Sequence, residues 1–134
     1  MSHSTAKVVG MPGDTSIGPG ATRTFTMESP CEFVGRRLNI QAVDTATGSD
    51  ALVMVRSVQH DNNEMVGNGR TSLVPSIVFN QPVWRYEAGA GPISAAGVNP
   101  GTEFHEHFVT GDLFSVTIFN QTGLNIQMLI YWVT

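Results

Sequence analysis

The strongest constraint on the fold is an alternation of apolar residues near the C-terminal end of the sequence. From Phe114 to Ile118, apolar residues alternate with Ser and Thr. This period of two is the pattern of a β-strand with one buried face. A second alternating segment covers residues 125–133, after the turn-forming sequence 120–123. The two segments are therefore predicted to be strands joined by a tight turn, which we term the closing hairpin.

The apolar side chains of this closing hairpin are predicted to form the core. They are Phe114, Val116, Ile118, Ile126, Met128, Ile130 and Trp132. In the second strand the intervening positions are apolar as well, at Leu129, Tyr131 and Val133. A strand that is apolar on both sides is covered on both faces. These three residues are therefore predicted to be buried by the same chain or to lie in an interface with a neighbouring subunit.

The rest of the chain consists of further short strand-like segments. They lie at residues 21–27, 32–43, 51–60, 73–79, 83–86 and 103–109, and 89–101 is predicted to be a Gly/Ala/Pro loop. An apolar period of 3.6 residues does not persist for ten residues anywhere. The pattern predicts an all-β antiparallel β-sandwich, a single jelly roll of about eight strands. Residues 1–20 are expected to form an N-terminal arm or loop with one short strand, and residues 21–134 the jelly-roll domain.

Composition narrows the kinds of partner. Only 13% of the 134 residues are charged, about half of what is typical for soluble domains. A surface poor in charge suits a subunit that is surrounded by neighbours. The net charge is −4 and the basic residues are dispersed, whereas nucleic-acid binding requires clustered positive charge. Self-association is therefore favoured over direct nucleic-acid binding.

Targeting signals are not evident in the sequence. The first residues contain no apolar leader, and no run of eighteen apolar residues occurs. The expectation is a protein made in the cytoplasm, with neither a signal peptide nor a membrane span. The single Cys31 cannot form an internal disulfide.

The sharpest chemical motif is a pair of histidines. On a strand, His105 and His107 project to the same side, together with Glu103, and could ligate a metal ion. The segment resembles the first half of a cupin motif, but Thr110 and Gly111 stand where that motif has its glutamate, and no histidine follows His107. A cupin-like metal enzyme is therefore an alternative rather than the leading hypothesis. Further ligands would have to be brought close by folding, from residues such as His60, Asp61 and Glu64.

The sequence contains no convincing nucleophile or acid–base pair, so we expect a protein that is not an enzyme and that needs no cofactor. A carbohydrate-binding module is a second alternative, since Trp84, Tyr86 and Phe79 around Pro82 could form an aromatic platform. Aromatic residues at alternate strand positions are more often part of the core.

Four segments resemble small single jelly-roll structural proteins of bacteriophages and related icosahedral viruses. They are the Ile17–Gly20 entry into a Thr-rich strand, Phe33–Ile40, Leu73–Phe79 and Gly111–Gly123. The resemblance implies a capsid subunit, whether major, minor or decoration, that self-assembles into the virion shell. Its partners would be further copies of itself and other virion proteins, and its location would be the virion.

Overall fold

The residues that the structure describes form mainly antiparallel β-strands. The computed structural model describes residues 8–66, 73–79, 84–87, 91–94 and 103–134. Within them lie thirteen strands and one 3-10 helix. The strands are β1 (Val8–Gly10), β2 (Ser16–Ile17), β3 (Thr22–Glu28), β4 (Phe33–Asp44), β5 (Asp50–Ala51), β6 (Met54–His60), β7 (Asn63–Val66), β8 (Val74–Pro75), β9 (Trp84–Glu87), β10 (Gly91–Ser94), β11 (Glu103–Phe108), β12 (Leu113–Phe119) and β13 (Ile126–Val133). The prediction of an all-β chain is confirmed.

Two sheets pack face to face as a β-sandwich. Sheet A has the strand order β1-β13-β4-β11, with β2 also paired to β13 and β5 to β4. Sheet B has the order β3-β12-β6-β7, with β8 also paired to β6. Among the described residues, strands β9 and β10 pair only with each other. Eight strands thus make up the two main ladders, and the others are short additions.

The core lies between the sheets and follows the alternation of the sequence. Along β12 and β13 every second side chain is buried, and the seven predicted core residues are at most 4% exposed. Strands β3, β4 and β6 contribute further buried residues, including Phe25, Leu38 and Val58. Burying a large apolar side chain contributes about 1.5–3 kcal/mol to stability. The core therefore supplies the main driving force for the sandwich.

The prediction of a closing hairpin is wrong. Strand β12 belongs to sheet B, where it pairs with β3 and β6, and β13 belongs to sheet A, where it pairs with β1, β2 and β4. The connection between them crosses from one sheet to the other, beginning at the fully buried Asn120. An apolar period of two fixes which face of a strand is buried, but it does not identify the neighbouring strand.

Two other local predictions also differ from the structure. In the predicted strand 73–79, only Val74 and Pro75 pair, and Ser76–Phe79 form the 3-10 helix. Because proline has no N–H for a continuing ladder, the backbone turns instead, Ser76 bonds to Val53, and Phe79 enters the core. The predicted loop 89–101 contains β10. Glycine and proline are depleted in strands, so their presence in this segment had indicated a loop.

The segment predicted as an N-terminal arm contributes to sheet A. Strand β1 pairs with the end of β13, with Val8 opposite Val133, and β2 pairs with its beginning, with Ile17 opposite Ile126. Val9 and Ile17 join the core. In the part of the chain that the structure describes, no helix is long and apolar enough to cross a membrane.

Candidate functional site

His60 lies at one end of the sandwich, where residues from both sheets surround it. His60 is the last residue of β6, and the next two residues form the turn into β7. Both turn residues have positive φ, 48° at Asp61 and 69° at Asn62. Asp and Asn tolerate that conformation better than most residues, and it suits a two-residue hairpin. The turn places the Asp61 carboxylate beside the His60 ring.

Strand β11 and the turn that follows it supply the other side of the site. The alternation of β11 directs Glu106 and Phe108 toward the interior, while the two residues flanking Glu106 are exposed. The chain then reverses direction at Gly111, whose φ of 94° requires glycine. Asp112 is fixed there because its carboxylate accepts the backbone N–H of Val109 at 2.9 Å. Sheet A and the β11–β12 turn thus present carboxylates to a ring on sheet B.

Both ring nitrogens of His60 are engaged. Nδ1 lies 2.7 Å from Glu106 Oε2, and Nε2 lies 2.8 Å from Asp112 Oδ2 and 3.8 Å from Asp61 Oδ2. The ring stacks on Phe108 with centroids 4.1 Å apart. The His60 side chain is 13% exposed, whereas that of Asp61 is 49% exposed. We refer to His60, Asp61, Glu106 and Asp112 as the His60 cluster.

The His60 ring and its carboxylate partners shift the pKa values of one another. Burial opposes the charged imidazolium, but hydrogen bonds to Glu106 and Asp112 outweigh it and raise the pKa of His60 above 6.5. The N–H of Val109, followed by the hydrogen bond from His60, lowers the pKa of Asp112 below 3.8. When it is protonated, His60 donates to both carboxylates and links the sheets.

We expect the stability contributed by the His60 cluster to depend on pH. Because the folded-state pKa of His60 is raised, its contribution is fully present below pH 6.5 and is lost as the pH rises through the raised value. Because the pKa of Asp112 is lowered, its contribution is present above pH 3.8 and is lost as the pH falls through the lowered value.

NMR titration of the His60 ring protons in chelator-treated protein measures the first of these effects. Glu106→Gln should lower the midpoint, and Glu32→Gln, which changes an exposed carboxylate bonded to His107, should leave it unchanged. Equal midpoints in the wild type and both variants would contradict the role given to Glu106.

The histidines that the sequence highlighted lie elsewhere. His105 and His107 are both exposed on the outer side of β11. His107 Nε2 lies 2.8 Å from Glu32 Oε2, a contact between two largely exposed side chains. The side chain of Glu103 is not among those that the structure describes. Of the residues suggested as additional ligands, Glu64 instead accepts hydrogen bonds from Ser57 and Gln59.

The sequence did not identify the His60 cluster as a site. Asp112 is 52 positions from His60 along the chain and Glu106 is 46 positions away. These residues stand in separate segments of the chain, and a single sequence does not show that those segments meet. Among the described residues, one group could offer three metal-ligand atoms, namely His60, Asp61 and Asp112, whose atoms lie within 4.8 Å of one another.

A second surface of interest lies on the outer face of sheet A. Leu129 is 45% exposed and Val8 is 60% exposed. Tyr131 and Val133 are half-buried, and Val133 lies opposite Val8 in the ladder. We refer to Val8, Leu129, Tyr131 and Val133 as the sheet A strip. The three residues predicted as an interface are therefore not fully covered within the described part of the chain.

The site of the predicted aromatic platform is only partly described. Phe79 is fully buried in the core. The side chains of Trp84 and Tyr86 and all of Pro82 lie outside the described parts of the structure.

Comparison with known proteins gave no match, whether to family models, to curated proteins or to solved structures.

Proposed function

We propose that this chain is a structural subunit of a virion shell, a major, minor or decoration capsid protein that assembles with copies of itself. The sheet A strip is the observation that carries this proposal. Its apolar side chains, exposed or half-buried, stand on the outer face of a regular sheet, where a second rigid surface can cover them. The partners would be further copies and other virion proteins, and the protein would be located in the virion.

The strand pairing supports a single jelly roll as the finer description of the fold. Moving inward from both ends, β1 pairs with β13, β3 with β12, β4 with β11, and β6 with β7. Such nested pairing arises when one long antiparallel ribbon wraps around a core, and the jelly roll is that arrangement. Viral capsid proteins use this fold, but so do lectins and cupins, so the function has to be argued from surfaces.

The chemistry of the strip favours a second copy of the same chain as its partner. The four side chains of the strip are uncharged. Arg37 lies opposite Val133 in β4, so a symmetric contact has to keep the two copies of this charge apart. A symmetric contact requires a patch that complements itself, and a neutral apolar patch meets that condition. The low overall charge of the chain agrees with repeated contacts between neighbours.

The alternatives have less support. A cupin-like enzyme would use His105 and His107, but both are exposed and His107 bonds to Glu32. The interior where such an enzyme would hold its metal is filled by apolar side chains such as Phe114 and Trp132. A carbohydrate platform that includes Phe79 has no surface there to present, because Phe79 is buried.

Light scattering after size-exclusion chromatography tests the role of the strip. We expect wild-type protein to form oligomers or shells, and Leu129→Glu to weaken self-association by more than about tenfold, because a carboxylate left unpaired in an apolar contact costs about 2 kcal/mol or more. Leu52→Glu is the matched control, since Leu52 is also 45% exposed but lies in the β5–β6 connection. It should assemble as the wild type does.

Thermal unfolding of both variants checks that the change is in assembly. Neither side chain belongs to the core, so both variants should keep a melting temperature within a few degrees of each other. A wild-type protein that stays monomeric at high concentration would contradict the proposal, and so would equal loss of assembly in the two variants.

A further inference from the structure

The His60 cluster brings together more than an ion pair requires. Three side chains from two separate turns direct a nitrogen and two carboxylates toward one point. We propose that His60, Asp61 and Asp112 form a binding site for a divalent first-row transition-metal ion such as Zn²⁺, with Glu106 as a positioning residue. The site lies on the opposite side of β11 from His105 and His107, and its existence does not depend on self-association.

The separations between the ligand atoms fit such an ion. With metal–ligand bonds of about 2.0–2.1 Å, neighbouring ligand atoms are about 2.9 Å apart in an octahedral site and about 3.4 Å apart in a tetrahedral one. His60 Nε2 lies 2.8 Å from Asp112 Oδ2 and 3.8 Å from Asp61 Oδ2. All three ligand atoms lie within 4.8 Å of one another, so rotation of the two aspartate side chains can bring them around one ion.

The orientation of the histidine is a second and separate argument. A histidine that binds a metal through one nitrogen usually donates its other N–H to a carboxylate, which fixes the ring. Glu106, on sheet A, contacts Nδ1 of His60, so Nε2 is the nitrogen that faces the two aspartates. Stacking on Phe108 holds the plane of the ring.

Backbone contacts hold the two carboxylates in place. Asp112 accepts the N–H of Val109, and Asp61 Oδ1 accepts the N–H of Leu113 at 2.8 Å. The second oxygen of Asp61 remains directed at His60. The ligands are therefore positioned before an ion arrives, which lowers the conformational entropy that binding would cost.

The charges also favour a dication. Three carboxylates, Asp61, Glu106 and Asp112, surround one imidazole ring. When the ion binds, the Nε2 proton is released to solvent, and Nδ1 keeps its proton and donates it in a hydrogen bond to Glu106. One imidazole and two carboxylates are a donor set suited to Zn²⁺ and similar ions rather than to Mg²⁺ or Ca²⁺, which prefer oxygen ligands alone. Water would complete the coordination.

A bound ion would join the β6–β7 turn to the β11–β12 turn at one end of the sandwich. Removing the ion should therefore lower the melting temperature without changing the strand content. This effect is open to measurement in the full chain.

Calorimetric titration of the chelator-treated full chain with Zn²⁺, together with elemental analysis, tests the site. We expect one ion per chain. Asp61→Asn should weaken binding by at least about tenfold, and Glu106→Gln by about 10–100-fold, which is the range for residues that orient a ligand. Asp61→Asn is suited to the test because Asn also tolerates positive φ and keeps an oxygen for the N–H of Leu113.

Two control variants change residues outside the proposed site. His105→Gln/His107→Gln removes the exposed pair, and Glu32→Gln removes the carboxylate beside it; both should bind Zn²⁺ as the wild type does. The proposal is overturned if no ion binds at Zn²⁺ concentrations up to about 1 mM, which corresponds to a binding free energy of about −4 kcal/mol. Stoichiometric binding that Asp61→Asn leaves unchanged and the double histidine variant abolishes would also overturn it, since the ion would then lie on the outer face.

Discussion

Replacing Gly35 with alanine should destabilise the fold by about 3 kcal/mol, the upper part of the range for adding a methyl group to a packed core. Gly35 lies in β4 opposite Glu106, and a Cβ at this position would lie 2.5 Å from Cε3 and 2.8 Å from Cδ2 of the Trp132 indole. The indole cannot withdraw easily, because Phe104, Phe108 and Phe114 surround it with ring centroids 5.3–5.6 Å away. Either the ring or β4 has to move. Urea unfolding measures the loss.

Two further variants make the Gly35 result specific. Gly18→Ala is the matched control, since a Cβ there meets nothing within 4 Å, and it should change stability by less than about 0.5 kcal/mol. The double variant Gly35→Ala/Trp132→Leu should lose less unfolding free energy than the two single variants lose in sum, because the smaller side chain leaves room for the methyl group. Strict additivity would show that the indole is not the cause.

Replacing Asn120 with alanine should cost about 3 kcal/mol, because it leaves several buried polar groups without partners. Asn120 is fully buried where the chain crosses from sheet B to sheet A. Its Nδ2 donates to the carbonyls of Gly18 at 3.0 Å and Leu124 at 2.8 Å, and its Oδ1 accepts the N–H of Thr122 at 3.0 Å. These bonds tie the crossing to the turn that precedes β3.

The neighbouring residue provides the control for Asn120. Gln121 is exposed and makes one side-chain bond, to the carbonyl of Leu52, so Gln121→Ala should cost less than about 0.5 kcal/mol. Asn120→Asp has nearly the same shape but cannot donate through Nδ2. A wild-type unfolding free energy in Asn120→Asp would contradict the assignment of the effect to hydrogen bonds.

The sequence predicted buried faces well because burial follows a local rule. The alternation from Phe114 to Ile118 indicated a strand with one apolar side, and both of these residues are fully buried. It was less successful where a backbone preference had to compete with packing. At Pro75 the chain leaves the ladder, and Gly91 and Pro92 pair in a strand despite their low strand propensity.

The candidate site could not be derived in the same way. In the sequence, His60 and Asp61 are candidates only if folding brings them near other ligands, and no motif marks Asp112. The motif that stood out, His105 with His107, is local, and its outward orientation followed from the position of Phe104 and Phe108 toward the core. Local spacing identifies side chains that share a face, but it does not identify which face meets another element.

The C-terminal strands show most clearly what the sequence determines and what the tertiary structure decides. The sequence by itself determined that two strands, predicted over residues 112–119 and 125–133, end the given sequence and bury their even-numbered apolar side chains, because a pleated strand directs alternate residues to opposite faces. Only the tertiary structure decided that these strands lie in different sheets, with Asn120 at the crossing, and that His60 meets Asp112 and Glu106. Strand partners are selected by the packing of the whole sandwich, and that selection is not encoded in any one segment.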